Sequence, residues 1–379
     1  MRIGISAVYY ASGGSLTNLA QLLREWRASG ALDTHRIVLF ASPSAVDALR
    51  AKLSAEILER IDVDVIGSRG RGLFARLWAE QVLLPRRLRA KNVDVVFCPA
   101  NVIPYFASTP TVVTFQNAAP FCESVTWKSL RHFGWWFRFK LLGLLIRASA
   151  KRATRVIFIS EWFRERMRID GDVIYRGKPS GAAGSQPADF AGRAKSRPLH
   201  LLYVSHLNPY KNVLEVIDAF AQVDAREWRF VIAGRTNFPW YRDAIVERIA
   251  RYGLQDRITL AGEIDGREVE TLLAGASAFV FASTCENCPT ALIEALSYGL
   301  PVACSNVGVM PEVAGDAVEY FDPNDVASIR AALQRVLGDA ALRDSLSQKA
   351  IARAAEFAPE SEVARRTLDV LERAAGSRA

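Results

Sequence analysis

The sequence predicts an α/β protein of two domains, each built on a parallel sheet. Its 379 residues exceed the size at which a single hydrophobic core stops growing. Short β-branched runs alternate with longer helical patterns, which is typical of βαβ units. A stretch rich in Gly, Ala, Ser and Pro at 176–198 separates two series of such units, and this composition predicts a linker or an exposed loop.

The first series predicts an N-terminal domain over residues 1–175. Its strand-like runs are, in order, IGISAVYY, HRIVLF, VDVVFCPA, TVVTFQN and RVIFIS. Helical patterns follow the first run as SLTNLAQLLREWRAS, the second run to about residue 60, and the fourth run over 127–153. This order predicts an open sheet with ligand sites at the carboxyl ends of its strands.

The second series predicts a C-terminal domain over residues 199–358. Its strand-like runs are LHLLYVSHL, WRFVIAG, RITLAG, ASAFVFAS and PVACS, with helical patterns between them. Two helical stretches close the chain, at about 324–356 and 359–375.

The composition and the charges indicate a globular protein with one basic half. Half of the residues are hydrophobic and 23% are charged, as in ordinary folded domains. Residues 1–198 carry 30 Lys and Arg against 15 Asp and Glu, whereas residues 199–379 carry 18 against 25. The first half is therefore expected to meet a polyanion or an anionic membrane surface. Nucleic acid is not the expected polyanion, because no recognition motif is present.

The start of the chain and its cysteines favour a cytoplasmic protein. The opening MRIGISAVYY lacks a charged n-region and a cleavage site. The longest apolar run, LLGLLI, is far shorter than the roughly 20 residues of a spanning helix. Five cysteines, Cys98, Cys122, Cys285, Cys288 and Cys304, are an odd number and predict reduced thiols, and the single CxxC does not predict a zinc site.

The stretch CENCPTALIEALSY at 285–298 is the strongest candidate site. Pro289 suits the first turn of a helix that stops near Gly299. Glu294 then faces back along that turn toward the loop that holds Glu286. Two carboxylates and the free N–H groups around Asn287 to Thr290 could together hold a polyhydroxylated ligand. The alternative is a helix start stabilised by acidic residues, although a Glu among apolar neighbours costs desolvation, which favours function.

Two other strand ends could hold phosphate. Gly13 and Gly14 follow the first strand and precede a helix, so the backbone there can approach an anion. Lys211 follows the strand LLYVS at the start of a helix that Asn212 could cap. Each signal alone is also consistent with an ordinary strand-to-helix turn and a solvated lysine.

The run CENCPTALIEALSYGLPVACSNVGVMPEVAGDAVEYFDPND resembles the nucleotide-sugar site of retaining glycosyltransferases of family 4, which have the GT-B fold. Their signature is two glutamates separated by seven residues, and Glu286 and Glu294 match it. The paired glycines and the segment SHLNPYKN fall in the expected order, so the resemblance covers nearly the whole chain. It implies two Rossmann-like domains facing each other across a cleft, with residues 359–379 crossing back to the first.

The resemblance also implies roles for individual residues. Glu286 would hold the hydroxyls of the donor sugar, Glu294 the ribose hydroxyls, and Lys211 the diphosphate, which makes Glu286 and Lys211 the catalytic candidates. The remaining donor-binding candidates are Asn287, Cys288, Pro289, Thr290, His206 and Gly14, and the acceptor-side candidates are Gly13, Gln116 and Asn117.

Two departures from the family pattern bear on the chemistry. The family usually has an Arg five residues before the Lys, where this chain has His206, and many relatives have a His-Asp pair where this chain has Gln116 and Asn117. The implied mechanism is front-face transfer with retention, in which the leaving phosphate takes the acceptor's proton, so no side-chain base and no metal cofactor is expected. The DxD of Asp62 and Asp64 starts a strand-like segment and is interpreted as coincidental.

The acceptor side is predicted from residues 125–170, which carry 11 Lys and Arg against 3 acidic residues. Apolar residues recur there at helical steps, namely Trp127, Leu130, Phe137, Leu141, Leu144 and Ala148. This pattern is typical of an in-plane amphipathic surface at the inner face of a membrane, and the alternative is a core helix with solvated arginines.

The sequence thus favours a transferase that moves a sugar from a nucleotide-diphospho-sugar, with GDP-mannose as a weak preference, to a glycan or lipid-linked saccharide. Two alternatives stay open, a nucleotide-sugar epimerase of the same fold and a non-catalytic nucleotide-sugar-binding scaffold.

Overall fold

A computed structural model describes residues 1–8, 14–67, 73–99, 101–122, 125, 133–179 and 198–377. Gly13 and most of the predicted linker lie outside the described residues. The chain divides into two compact units. Unit 1 comprises Met1–Ala118, Phe137–Gly177 and Ala358–Ala379, and unit 2 comprises Ala119–Trp136 and Lys178–Phe357.

Unit 1 is built on a seven-stranded parallel sheet of order β3-β2-β1-β4-β5-β6-β7. Its strands are β1 Arg2–Ala7, β2 Arg36–Ala41, β3 Ile61–Val65, β4 Val95–Cys98, β5 Thr111–Thr114, β6 Arg155–Phe158 and β7 Asp172–Val173. The central strands are buried on both faces, which is why they appear in the sequence as continuous apolar runs.

The helices of unit 1 connect these strands, and one of them returns from the end of the chain. They are α1 Gly14–Ala28, α2 Ala31–Thr34, α3 Pro43–Arg50, α4 Ala55–Glu59, α5 Leu73–Trp78, α6 Leu84–Ala90, α7 Phe133–Arg152, α8 Glu161–Met167 and α16 Glu360–Gly376. A π-helical turn, Ala79–Leu83, joins α5 to α6. The indole Nε1 of Trp26 donates to the carbonyl of Ala364 at 3.0 Å, and Val370, Leu371 and Ala374 of α16 belong to the core of this unit.

Unit 2 is built on a six-stranded parallel sheet of order β10-β9-β8-β11-β12-β13. Its strands are β8 Leu199–Val204, β9 Trp228–Ala233, β10 Ile258–Gly262, β11 Ala278–Phe281, β12 Val302–Ser305 and β13 Val318–Phe321. Its helices are α9 Val213–Phe220, α10 Pro239–Arg251, α11 Gly266–Gly275, α12 Thr290–Ser297, α13 Met310–Ala314, α14 Val326–Gly338 and α15 Ala340–Ala355. Trp228, Phe220 and Phe230 are among the largest side chains fully buried in its core.

The two parallel sheets confirm the predicted fold class, while the boundaries of some elements differ. The stretch predicted as one helix at 324–356 is two helices, because Asp339 adopts an extended backbone and its carboxylate accepts from Leu342 N at 3.0 Å, which caps α15. The helix predicted at 127–153 is described from Phe133 onward. Among the described residues, no helix is long and apolar enough to cross a membrane.

Candidate donor site

Lys211 ends a short 3₁₀ turn, Pro209–Lys211, that follows strand β8. The lysine is buried, with 8% of its surface exposed. Its ammonium lies 5.4 Å from the ring centroid of Tyr210 and 5.7 Å from that of Phe281. Aromatic rings at this distance partly replace the water that a buried cation loses.

Buried side chains hold this turn in place. The hydroxyl of Tyr203, in β8, donates to the carbonyl of Lys211 at 2.6 Å, and burial raises the pKa of Tyr203, which keeps this donor protonated. Asn212 takes the left-handed conformation at φ 55°, and its amide donates to the carbonyl of Pro323 at 2.6 Å. Asn212 stands at the N-cap position of α9, but its side chain makes no cap hydrogen bond there. The expectation that Asn212 caps the helix is therefore wrong, because its side chain is used to fix the turn.

The loop that carries Glu286 is attached to the same turn. Thr284 donates twice to the carbonyl of Tyr210, from its backbone N at 2.9 Å and from its hydroxyl at 3.0 Å. Ser305, in the next strand of the sheet, donates to the carbonyl of Ser283 at 2.8 Å. The two sequence segments, more than 70 residues apart, are thus fixed to each other by hydrogen bonds at the carboxyl ends of β8 and β11.

Glu286 and Lys211 form a salt bridge, in which the Lys211 ammonium donates to Oε1 of Glu286. Burial lowers the pKa of Lys211, but the charges of Glu286 and Tyr210, together with the hydrogen bond that Lys211 donates to Glu286, outweigh this effect and raise the pKa. The lysine is therefore charged at neutral pH. The arrangement places one cation and one carboxylate side by side, which suits a ligand with both phosphates and hydroxyls.

Helix α12 begins where the sequence predicted it. It runs over Thr290–Ser297 with Pro289 at its N-cap position, and Gly299 follows at φ 64°. Glu294 is its fifth residue and is half-buried. Asn287 and Pro289 are buried, whereas Cys288 and Thr290 are half-buried. The predicted donor residues of this segment therefore lie in one continuous loop and helix start.

His206 lies at the end of β8, one residue before Leu207, whose backbone N donates to the carbonyl of Arg235 at 2.8 Å. Burial lowers the pKa of His206 below 6.5, and the charges of Arg235 and Lys211 lower it further, against a smaller opposite effect of Glu263. His206 is therefore neutral at neutral pH. Arg235 was not found by sequence reasoning, because a single Arg after a strand carries no distinctive signal.

In unit 1, Gln116 and Asn117 follow β5 and are half-buried. The side-chain oxygen of Asn101 accepts from both of their backbone N atoms, at 2.8 and 3.1 Å. Asn101 adopts the left-handed conformation at φ 73°. The sequence did not indicate its role, because no sequence pattern identifies an asparagine in this conformation. Gly14 is the first residue of α1, while Gly13 lies outside the described residues.

The prediction of reduced thiols is wrong for two of the five cysteines. Cys122 and Cys285 form a disulfide, with a Cα–Cα distance of 5.8 Å and a sequence separation of 163. Cys98, Cys288 and Cys304 are not in a disulfide, and Cys98 and Cys304 are buried. The sequence could not show this pair, because only the fold brings segment 119–122 to the loop before Glu286.

The DxD residues make ion pairs on β3. Asp62 accepts from the Lys91 ammonium at 2.8 Å, and Asp64 lies 3.7 Å from an Arg87 guanidinium nitrogen. Within the described ranges, no group of three or more His, Cys, Asp and Glu is arranged as a metal site.

Two family models match the chain, and together they leave few residues uncovered. Residues 12–177 match "Glycosyltransferase Family 4" and residues 185–353 match "Glycosyl transferases group 1".

Among proteins of similar sequence, O-antigen chain mannosyltransferase B of Escherichia coli is 30% identical over 165 residues, 43% of this chain and 43% of that protein. O-antigen chain mannosyltransferase RfbU of Salmonella typhimurium is 24% identical over 253 residues, 61% of this chain and 66% of that protein. The match to the first of these therefore spans less than half of either chain.

The fold is also similar to that of a solved structure. Anabaena HepE in complex with UDP-glucose superposes with a TM-score of 0.75 at 19% identity, over 98% of this chain and 99% of that one. At this identity the likeness shows the fold, which is GT-B. With two parallel-sheet units, both glutamates of the signature in place and family matches over most of its length, the chain belongs to glycosyltransferase family 4.

Proposed function

We propose that this protein is a retaining glycosyltransferase that moves a sugar from a nucleotide-diphospho-sugar to a glycan or lipid-linked saccharide in cell-surface polysaccharide synthesis. The observation that carries the proposal is the salt bridge of Lys211 and Glu286, held at the carboxyl ends of β8 and β11 beside the start of α12. Ligands of open α/β sheets bind at such strand ends. The mannosyltransferase relatives support a mannosyl donor, and we propose GDP as its nucleotide.

The proposed donor roles follow from the chemistry of each group. The Lys211 ammonium binds the diphosphate, and the N–H groups at the start of α12 add their dipoles. Glu286 accepts hydrogen bonds from sugar hydroxyls and Glu294 from ribose hydroxyls, since an ionised carboxylate can accept two donors at once. In the free protein Glu286 neutralises Lys211, so the donor's phosphates compete with Glu286 for the ammonium.

The proposed transfer needs no basic side chain. The bond between the anomeric carbon and the diphosphate oxygen breaks, and the acceptor oxygen bonds to the anomeric carbon on the same face. The acceptor's proton passes to the leaving phosphate oxygen. Lys211 stabilises the charge that develops on that phosphate, and we propose that the reaction proceeds without added metal.

The proposed acceptor surface is an apolar stripe on α7, formed by Phe137, Leu141 and Leu144. Phe137 is 57% exposed and Leu144 is 66% exposed. The opposite face of the helix, with Ile146 and Ala150, is buried. The stripe therefore does not pack in the core of the described structure, which favours a membrane contact over the core alternative.

Two further exposed aromatic residues, Trp78 and Phe106, lie on segments that hydrogen bonds connect to α7. Gln81, one turn after Trp78, donates to the carbonyl of Ile103 at 3.0 Å, and the Tyr105 hydroxyl donates to the carbonyl of Leu145 at 2.8 Å. Lys140, Arg147 and Lys151 are exposed on the same helix. Apolar and basic side chains together suit an anionic membrane surface that presents a lipid-linked acceptor.

The first test is calorimetric titration of GDP, UDP and ADP, with and without Mg²⁺, into the wild type and Glu294→Ala. We expect one nucleotide to bind without Mg²⁺ and to bind about tenfold more weakly to the variant, a loss of about 1.4 kcal/mol. If none of the three binds, or if the variant binds as well as the wild type, the proposed donor site is wrong.

A product assay separates the alternatives. Incubation with the bound nucleotide's sugar donor and a lipid-linked acceptor should give a glycosylated product with the donor's anomeric configuration. Sugar or nucleotide turnover without any acceptor would instead indicate the epimerase. Donor binding without product, unchanged in cells by Glu286→Ala, would indicate the scaffold.

A further inference from the structure

Among the predicted donor residues that the structure describes, Lys211 is the one cation, whereas the diphosphate of a sugar nucleotide carries two negative charges. Lys211 is already neutralised by Glu286 in the free protein. The family pattern has an Arg at the position of His206, and burial together with two nearby cations lowers the pKa of His206. A neutral imidazole supplies no positive charge, so any second cation for the diphosphate would be another residue at these strand ends.

Arg235 is placed at the same strand ends by the backbone. Strands β8 and β9 pair up to Val204 and Ala233, and the pairing continues past them through Leu207 N to Arg235 O at 2.8 Å. Gly234 has φ 134°, and a Cβ there would lie 1.7 Å from a backbone carbonyl oxygen, that of Ser205. Only glycine permits this close approach, and the approach sets Arg235 beside the residues that lead to Lys211.

The side chain of Arg235 is partly exposed and forms an ion pair. Its Nη1 lies 3.4 Å from Oε2 of Glu263, with 34% of the arginine side chain and 64% of the glutamate side chain exposed. An exposed ion pair of this kind contributes little to stability, so a diphosphate can compete with the glutamate for the guanidinium. The charges of Arg235 and Lys211 both lower the pKa of His206, in agreement with the position that the backbone gives to Arg235.

We propose that Arg235 is the second diphosphate-binding residue of this chain and replaces the arginine that the family has at position 206. A guanidinium can bind two phosphate oxygens at once, which the Lys211 ammonium does less well. The inference rests on the proposed donor function of this site. In this proposal Arg235 supplies the positive charge that the neutral His206 lacks.

The test compares GDP with guanosine, and UDP with uridine if the wild type prefers uracil, by calorimetry on the full chain. Arg235→Gln should weaken binding of the diphosphate at least tenfold and leave binding of the nucleoside within twofold. Arg251→Gln is the matched control, since Arg251 pairs with Glu247 on the surface of α10 and its loss removes the same charge from unit 2. Equal binding of the diphosphate by wild type and Arg235→Gln would overturn the inference.

Two further variants give effects of opposite sign. Glu263→Gln removes the carboxylate that competes for Arg235 and should tighten diphosphate binding two- to fivefold. His206→Arg in the Arg235→Gln background should restore most of the lost affinity. If Arg235→Gln weakens nucleoside and diphosphate equally, or if His206→Arg restores nothing, the residue acts on the fold and the inference is wrong. If the wild type binds no nucleotide, the proposed function itself fails.

Discussion

The salt bridge of Lys211 and Glu286 gives the sharpest prediction, because its two members can be removed singly and together. We consider Glu286→Gln, Lys211→Met and the double variant. Lys211 is 8% exposed, and 14% of the Glu286 side chain is exposed. Both groups have therefore lost most of their hydration, and each depends on the other for compensation.

The expected magnitudes follow from this burial. Removing one partner of a buried ion pair costs about 3–5 kcal/mol, because it leaves the other charge uncompensated. Since some water still reaches this pair, we expect each single variant to lower the free energy of unfolding by about 3 kcal/mol. The double variant leaves no orphan charge and should be within about 1 kcal/mol of the wild type. The singles together would then cost far more than the double, which is the signature of a direct coupling.

The pH dependence has a definite sign. Because Glu286 raises the pKa of Lys211 above 10.5, its contribution to stability is fully present below pH 10.5 and is lost as pH rises through the folded-state pKa. In Glu286→Gln the carboxylate charge is absent, and the remaining effect of burial lowers the pKa of Lys211. The stability of this variant should therefore increase as pH rises. The difference in stability between wild type and Glu286→Gln should therefore shrink above about pH 10.

The assay is equilibrium unfolding in guanidinium chloride, followed by tryptophan fluorescence at pH 8 and at about pH 11.5, because the loss occurs above pH 10.5. Variants are compared by their midpoints at constant slope, so that the surface exposed on unfolding is the same. Additive effects of the two single variants would refute the reasoning, since they would mean that Lys211 and Glu286 do not compensate each other in solution. A difference that grows with pH would contradict the assigned direction of the pKa.

Three other predictions concern groups around the site. Tyr203→Phe removes the hydroxyl that holds the Lys211 turn. It should weaken GDP binding about fivefold in calorimetry, which is roughly the value of one hydrogen bond. The control is Tyr241→Phe, which deletes another buried hydroxyl of the same core and should show no such loss. Gly234→Ala creates a Cβ 1.7 Å from a backbone oxygen and should cost more than about 4 kcal/mol in chemical unfolding, while Gly275→Ala meets nothing within 4 Å and should change stability by less than about 1 kcal/mol. Cys122→Ser opens a disulfide that closes 163 residues and should lower the free energy of unfolding by up to about 5 kcal/mol, so an unchanged midpoint in the absence of reductant would contradict the bond.

Local features of the donor site were predictable because they depend on neighbouring residues. The helix after Pro289, the position of Glu294 in its first turns and the stop at Gly299 all follow from cap chemistry and apolar periodicity. The two parallel sheets follow from the alternation of strand-like and helical runs. The spacing of Glu286 and Glu294 was enough to indicate the family.

The contacts that join distant segments were decided by the tertiary structure alone. The double hydrogen bond from Thr284 to Tyr210, the approach of Gly234 to Ser205 and the disulfide of Cys122 each connect residues that no local pattern relates. A sequence specifies which strands exist through short-range periodicity. Which strand ends meet depends on the order of strands in the sheet, and that order brings together the lysine, the glutamate and the arginine on which the proposed chemistry depends.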